Sequence, residues 1–147
     1  MTTFAAQVAD FRTKTLKSLR YVAVNAIQDV VEAAQTPQPG VGRTGGAFIE
    51  GRIPVVSGDL INSLATGLNG GGGAKGSTSY VAVLAGLEIG DTITFEWTMP
   101  YALRIEKGFV GTDAAGRTFN QQGRHFVGKN AARFQDFVSQ RVKEVAG

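Results

Sequence analysis

The sequence predicts an α+β domain, with a long N-terminal helix and a C-terminal helix packed on a small antiparallel sheet, and long loops free for assembly. Three observations carry this. Apolar residues recur at helical spacing over 4–34, a second helical stripe spans 126–145, and between them 92–98 alternates apolar and polar. A chain of 147 residues suits one such domain with a real core.

The first helix is read from Phe4, Val8, Phe11, Leu19, Ala23, Ile27, Val30 and Ala34, with Thr15 interrupting the stripe. No proline or glycine occurs before Pro37, and Thr2 or Thr3 can cap the start. A helix of that length runs roughly 45 Å, so part of it is expected to pack on a neighbour. Arg12, Lys14, Lys17 and Arg20 form a basic stripe on its first half, read as a solvated face or as a contact for an acidic partner.

Residues 35–56 read as a loop-rich arm punctuated by Pro37, Pro39, Gly40, Gly42, Gly45, Gly46 and Pro54. Inside it, Ala47-Phe48-Ile49 and Arg52-Ile53 flank Glu50-Gly51 as a short hairpin. Ser57 then caps a short helix whose apolar face is Leu60, Ile61 and Leu64. The glycine tract 67–76 reads as a flexible tip. The stretches 77–85 and 92–98 read as two strands, with Tyr80/Ala82/Leu84 alternating in the first. In the second, Ile93/Phe95/Trp97 face a core and Glu96 faces water.

Pro100 then stops strand pairing, having no N–H to give. Tyr101, Leu103 and Ile105 are read as core or interface contacts, Glu106 as the one carboxylate among them, and Gly108 as a place for positive φ. Residues 109–124 read as a polar, glycine-rich loop, and 126–145 as one helix with Phe134, Val138, Val142 and Val145 on its stripe and Phe137 at the edge.

Composition narrows the function classes. The absence of cysteine removes disulfides, thiolate catalysis and cysteine-ligated metal centres. It also fits a chain made in a reducing compartment. A net charge of +3 is too small to argue for nucleic-acid binding by itself. No signal peptide is evident, and no apolar run approaches the ~20 residues that span a bilayer. Charged residues are only 18%, which leaves little polar material to cover a free monomer and hints at surface buried in an assembly.

The candidate chemical motifs fail on context. Gly40-Val41-Gly42-Arg43-Thr44-Gly45 has dinucleotide-fingerprint spacing but follows prolines instead of a strand. In Gly70-Gly71-Gly72-Gly73-Ala74-Lys75-Gly76-Ser77 the lysine precedes the last glycine, so a P-loop cannot form. His125 is the only histidine and lacks a serine elbow or a second ligating histidine, so it reads as a junction residue. Glu96 and Glu106 are a formal carboxylate pair. With Arg104 and Lys107 beside it, Glu106 reads better as a capping or salt-bridged group. No cofactor or metal is expected, and no catalytic residue is assigned.

Two segments together carry a resemblance. Pro54-Val55-Val56-Ser57-Gly58-Asp59-Leu60-Ile61-Asn62-Ser63-Leu64 resembles the Pro-Val-Asp-Thr-Gly-x-Leu-x-x-Ser-Ile signature of small phage neck proteins. Tyr101-Ala102-Leu103-Arg104-Ile105-Glu106-Lys107-Gly108 resembles their Tyr-Ala-x-x-x-Glu-x-Gly signature. The family is the tail-completion, or head–tail joining, proteins of long-tailed bacteriophages. Gly111-Thr112-Asp113, Gly116-Arg117, Asn120-Gln121 and Phe126 with its alanine-bearing helix follow in the family's order. Val56 stands where the signature has Asp, and His125 where a proline often precedes the phenylalanine.

The resemblance implies a structural virion protein, not an enzyme. It would be assembled in the host cytoplasm and located in the neck between head and tail. It implies a ring of copies, six by expectation. The ring would contact a head-connector or head-completion protein on one side and a tail terminator or tail tube protein on the other. DNA would pass through its lumen without sequence readout, and no membrane is implied. The assembly motif would be Pro54, Ser57, Gly58, Leu60, Ser63, Tyr101, Ala102, Glu106, Gly108 and Phe126, with 35–56 and 109–124 as arms. Other readings stay open: a tail terminator or other minor tail component, a small hydrolase using Glu96, Glu106 or His125, and a DNA-binding module using Arg12, Lys14, Lys17 and Arg20.

Overall fold

The computed structural model describes residues 3–40, 48–71, 73–112 and 114–146. Thr2, most of the fingerprint-like glycine stretch with Ala47, Gly72 and Asp113 lie outside the described residues. The architecture is α+β. Helix α1 (Phe4–Ala34) is the spine, and its N-cap Thr3 accepts the Ala6 N–H. The basic stripe on α1 is divided in role. Arg20 donates to the Ala85 and Leu87 carbonyls, at 2.7 Å each, and Lys14 pairs with Asp10.

The expected hairpin near residue 50 does not form. Instead β1 (Pro37–Pro39) pairs in parallel with β2 (Ile53–Val55). The buried Gln38 amide acts as a surrogate peptide here. It donates to the Ile49 and Arg52 carbonyls and accepts the Ile49 N–H. That replaces the ladder bonds which the prolines cannot donate. The described part of the 35–56 arm is therefore partly paired structure.

Helix α2 is only Asp59–Asn62. Its N-cap is Gly58, in the left-handed region at φ +88°, in place of Ser57, and Leu64 belongs to the next strand. Strand β3 (Leu64–Leu68) turns back into β4 (Ala74–Lys75), so the glycine tract is a hairpin, not only a tip. Gly73 is required there because a Cβ would lie 1.4 Å from the Thr66 carbonyl oxygen.

The strand expected at 77–85 is helix α3 (Ser79–Ala85). Its Tyr80 and Leu84 are buried together with Leu87, a spacing of four and three, so helical burial wins over the alternation. Strand β5 (Ile93–Trp97) forms as expected, with alternating burial and Glu96 exposed, but it pairs antiparallel with β3. Helix α4 (Ala102–Lys107) follows Pro100.

The polar stretch 109–124 is a β-hairpin, β6 (Gly108–Thr112) with β7 (Thr118–Gln122), where a loop was expected. The glycines and amides that suggested a loop sit in a two-stranded ribbon whose side chains have little core to fill. The C-terminal helix is divided into α5 (Gly128–Ala131) and α6 (Phe134–Ala146). Phe137 is the buried residue of α6, while Phe134, Val142 and Val145 stay at least one-third exposed.

Two cores result. Val31, Leu64, Tyr80, Leu84 and Leu87 form one, beneath α1 and α3. Ala34, Ile53, Leu60 and Phe126 form the other, at the C-terminal end of α1. Trp97 touches both, stacks edge-to-face on Phe126 at 5.3 Å, and donates its indole N–H to Gln35. The buried Gln35 also donates to the Ile61 and Ser77 carbonyls, tying four chain segments at one amide. Helix α6 is fixed on α1 by a bidentate Arg141–Asp29 pair and by the Tyr21 hydroxyl donating to Glu144.

Candidate functional site

The residues singled out in the two signature segments converge around the second core. Leu60 and Phe126 are in it, with Ala102 and Ile105 packed against it and the buried Pro54 beside Ile53 in β2. Ser63 is buried. Its hydroxyl donates to the Leu60 carbonyl at 2.7 Å, and its own carbonyl accepts from the Thr98 N–H and hydroxyl. Thus α2 is joined to the chain that leads into α4. The two segments also share an open cleft of about 150 Å³, lined by Pro54, Val56, Ser57, Gly58, Asp59, Leu60 and Tyr101.

Glu106 faces away from that cleft in function. Its Oε2 accepts the Val127 N–H at 2.9 Å and its Oε1 the Gly128 N–H at 2.8 Å, while its carbonyl accepts the His125 N–H at 3.0 Å. One residue of α4 therefore holds three consecutive-region amides at the start of α5. These donors carry partial positive charge and lack helical partners, which is why a carboxylate fits. His125 bends the chain into this clamp at φ +49°. Arg104 lies over the Phe109 ring at 4.3 Å instead of pairing with Glu106.

Gly108 ends α4 at φ +87° and opens β6. A Cβ there would come within 2.6 Å of the Gln121 carbonyl oxygen and 2.7 Å of the Gly123 nitrogen. Only glycine meets both conditions. Of the bulky residues nearby, Ile105 packs on the core, whereas Leu103 and Tyr101 are exposed. Tyr101 lines the cleft, and burial first, then Asp59, raises its pKa.

A second, polar cleft of about 420 Å³ opens beneath the β6–β7 hairpin, where Phe48, Glu50, Lys107, Phe109, Gln121 and His125 are among its walls. Behind it Arg124 is 3% exposed, with its guanidinium stacked over Phe48 at 3.9 Å and donating to the Gln122 carbonyl. Burial lowers its pKa.

The hydrolase candidates are not brought into one constellation. Glu96 stands on the outward face of β5, Glu106 is spent on amides, and His125 lines the polar cleft. No side-chain hydrogen bond or ion pair joins the three among the described residues; only the backbone His125 N–H meets the Glu106 carbonyl. Nor is there a group of three or more His, Asp or Glu side chains that would hold a metal among the described residues. No described helix is long and apolar enough to cross a membrane.

Gln35, Gln38, Asn130 and Arg124 are structural residues that sequence reasoning missed. Asn130 is buried and donates to the Gly51 and Phe126 carbonyls, joining α5 to the 50–51 turn. Polar side chains carry no periodic signal, so only the fold reveals them. No protein-family model, no curated protein and no solved structure matches this chain.

Proposed function

We propose that this chain is a structural virion protein of a long-tailed bacteriophage, a tail-completion or head–tail joining subunit. Copies of it form a ring, with six expected, that joins the head connector to the tail and lets DNA pass without reading it. The observation that carries this reading is the meeting of the two signature segments. They are separated along the chain, yet they share one core and one cleft, and the carboxylate of the second, Glu106, is bound to backbone amides. That arrangement supports architecture over chemistry. The uncovered apolar residues along α1 support an assembled state over a free monomer.

The test is imaging of the native particle, or of a purified ring, with its symmetry counted. Density for this chain in a closed ring at the head–tail junction supports the reading. A position on the tail side of the joint, capping the tail tube, makes it a tail terminator instead. Absence from the particle overturns both.

A further inference from the structure

The ring reading leaves open which surfaces meet, and two features of the fold point to an answer. Phe4, Val8 and Phe11 stand on one face of α1 and are 81%, 50% and 72% exposed. Phe4 and Val8 lie beyond the part of α1 that α6 reaches, and Phe11 stands at its edge: α6 runs back along α1 with Glu144 at Tyr21 and with Val145, Leu19 and Phe11 lining one open apolar groove. Nothing in the described chain covers this end of the stripe. At the other end of α1, roughly 45 Å away by helix rise, Leu60 carries the second core into the cleft of Pro54, Val56, Asp59 and Tyr101.

We infer that these two surfaces are partners between successive copies: the Phe4–Val8–Phe11 stripe of one copy docks in the Pro54–Tyr101 cleft of the next. This rests on the ring reading and names its contact. Shape supports it, since an apolar cavity of about 150 Å³ accommodates one benzene ring, and the cleft has that volume. One exposed phenylalanine is therefore the size of occupant it takes. Charge supports it too. Arg12 and Lys14 flank the stripe at roughly 80° to either side on a helix of 3.6 residues per turn, Lys14 being paired with Asp10 of its own helix. Asp59 stands exposed at the cleft, with no ion pair among the described residues.

The two rings and Val8 leave on the order of 400 Å² of apolar surface open on the stripe, and Val56 at the rim of the cleft is 74% exposed. Geometry completes the case. The surfaces are different and sit at opposite ends of a rigid helix, so one chain cannot satisfy itself. Made head-to-tail between successive copies and not reciprocally between two, the contact is heterologous, the kind that closes rings.

The chain has no cysteine, which makes the test clean. Val8→Cys and Val56→Cys are made separately, and the assembled protein is treated with a short bifunctional thiol reagent. The mixture of the two variants is expected to give cross-linked dimers, and neither variant alone should do so. Arg12→Glu with Lys14→Glu should reduce the yield several-fold, and Asp59→Lys should restore part of it. Both sites are exposed, so folding is checked by unchanged thermal melting. Self-cross-linking of Val8→Cys would mean a symmetric stripe-to-stripe contact and overturn the inference. A ring of intact symmetry without the mixed cross-link would overturn the inference and leave the ring reading standing. Mixed cross-links in open filaments with no ring would keep the contact and remove the ring.

Discussion

Replacing Glu106 by glutamine tests whether this residue is structural, because the change preserves shape and removes one acceptor. The carboxylate now takes one N–H on each oxygen, from Val127 and Gly128. A glutamine can accept only one of them and sets its own NH2 against the other. A hydrogen bond to a charged group contributes about 1.5–3 kcal/mol. The Val127 bond is partly buried and the Gly128 bond exposed, so water recovers some of the loss. The expected destabilisation is about 1.5–2 kcal/mol, or a fall in Tm of about 3–8 °C for a domain of this size. Urea unfolding followed through Trp97 reads it directly, because this single tryptophan stacks on Phe126, next to the clamp. The midpoint should fall with no change in slope, and amide exchange at Val127 and Gly128 should quicken. An unchanged midpoint with unchanged exchange would refute the clamp. An activity lost at unchanged stability would return Glu106 to chemistry.

Gly108→Ala should cost about 2–3 kcal/mol, from a positive φ combined with a backbone clash at Gln121 and Gly123. The same urea series measures it. Arg141→Leu removes the bidentate bond to Asp29 and should lower stability by about 1–2 kcal/mol, a modest figure because both groups are partly solvated. The pKa of Glu144 is lowered, first by the Tyr21 hydroxyl and then by Arg141. Because its folded value lies below its unfolded value, the stability it adds is present above the ordinary carboxylate range. That stability is lost as pH falls through the lower folded value. Tyr21→Phe should therefore raise the Glu144 carboxyl titration seen by NMR and flatten the acid limb of stability. The β6–β7 hairpin should gain amide protection when rings assemble. Equal protection in dilute monomer would show that it is not an assembly arm.

The parts of this fold legible in the sequence are those with a long or clean period. Helix α1 was bounded by its stripe and by Pro37, and β5 by seven alternating residues ending at Pro100. Short elements were ambiguous because two periods fit them. In 77–85 the set Tyr80, Ala82, Leu84 alternates, yet Tyr80 and Leu84 are also a helical pair, and Leu87 in the next turn settles the matter only once the core exists. The β6–β7 ribbon was hidden for the opposite reason. A two-stranded hairpin with a thin hydrophobic face leaves no alternation to read, and its register depends on Gly108. At the site, the Ser63 and Glu106 positions were visible as motif members. Their bonds to Thr98, Val127 and Gly128 depend on chain crossings that no local pattern encodes.

Among the described residues the three sheets have two, three and two strands, and isolated two-stranded pairs are marginal in water. What orders the β1–β2 pair and the β3–β4–β5 sheet is α1, whose C-terminal half enters both cores and whose C-cap Gln35 bonds to three other segments, while the β6–β7 ribbon continues from α4. The same helix then extends beyond any cover in its own chain. In the proposed ring, a spine that the fold needs at one end and leaves uncovered at the other would transmit position rigidly from one copy to the next. Its orientation is set by Gln35, Arg20 and Arg141, none of which lies on the exposed stripe. Mutations in the stripe should therefore alter assembly without altering the fold, while mutations of those three should alter both. That separation is what distinguishes the uncovered end of α1 as a proposed assembly surface from a packing defect.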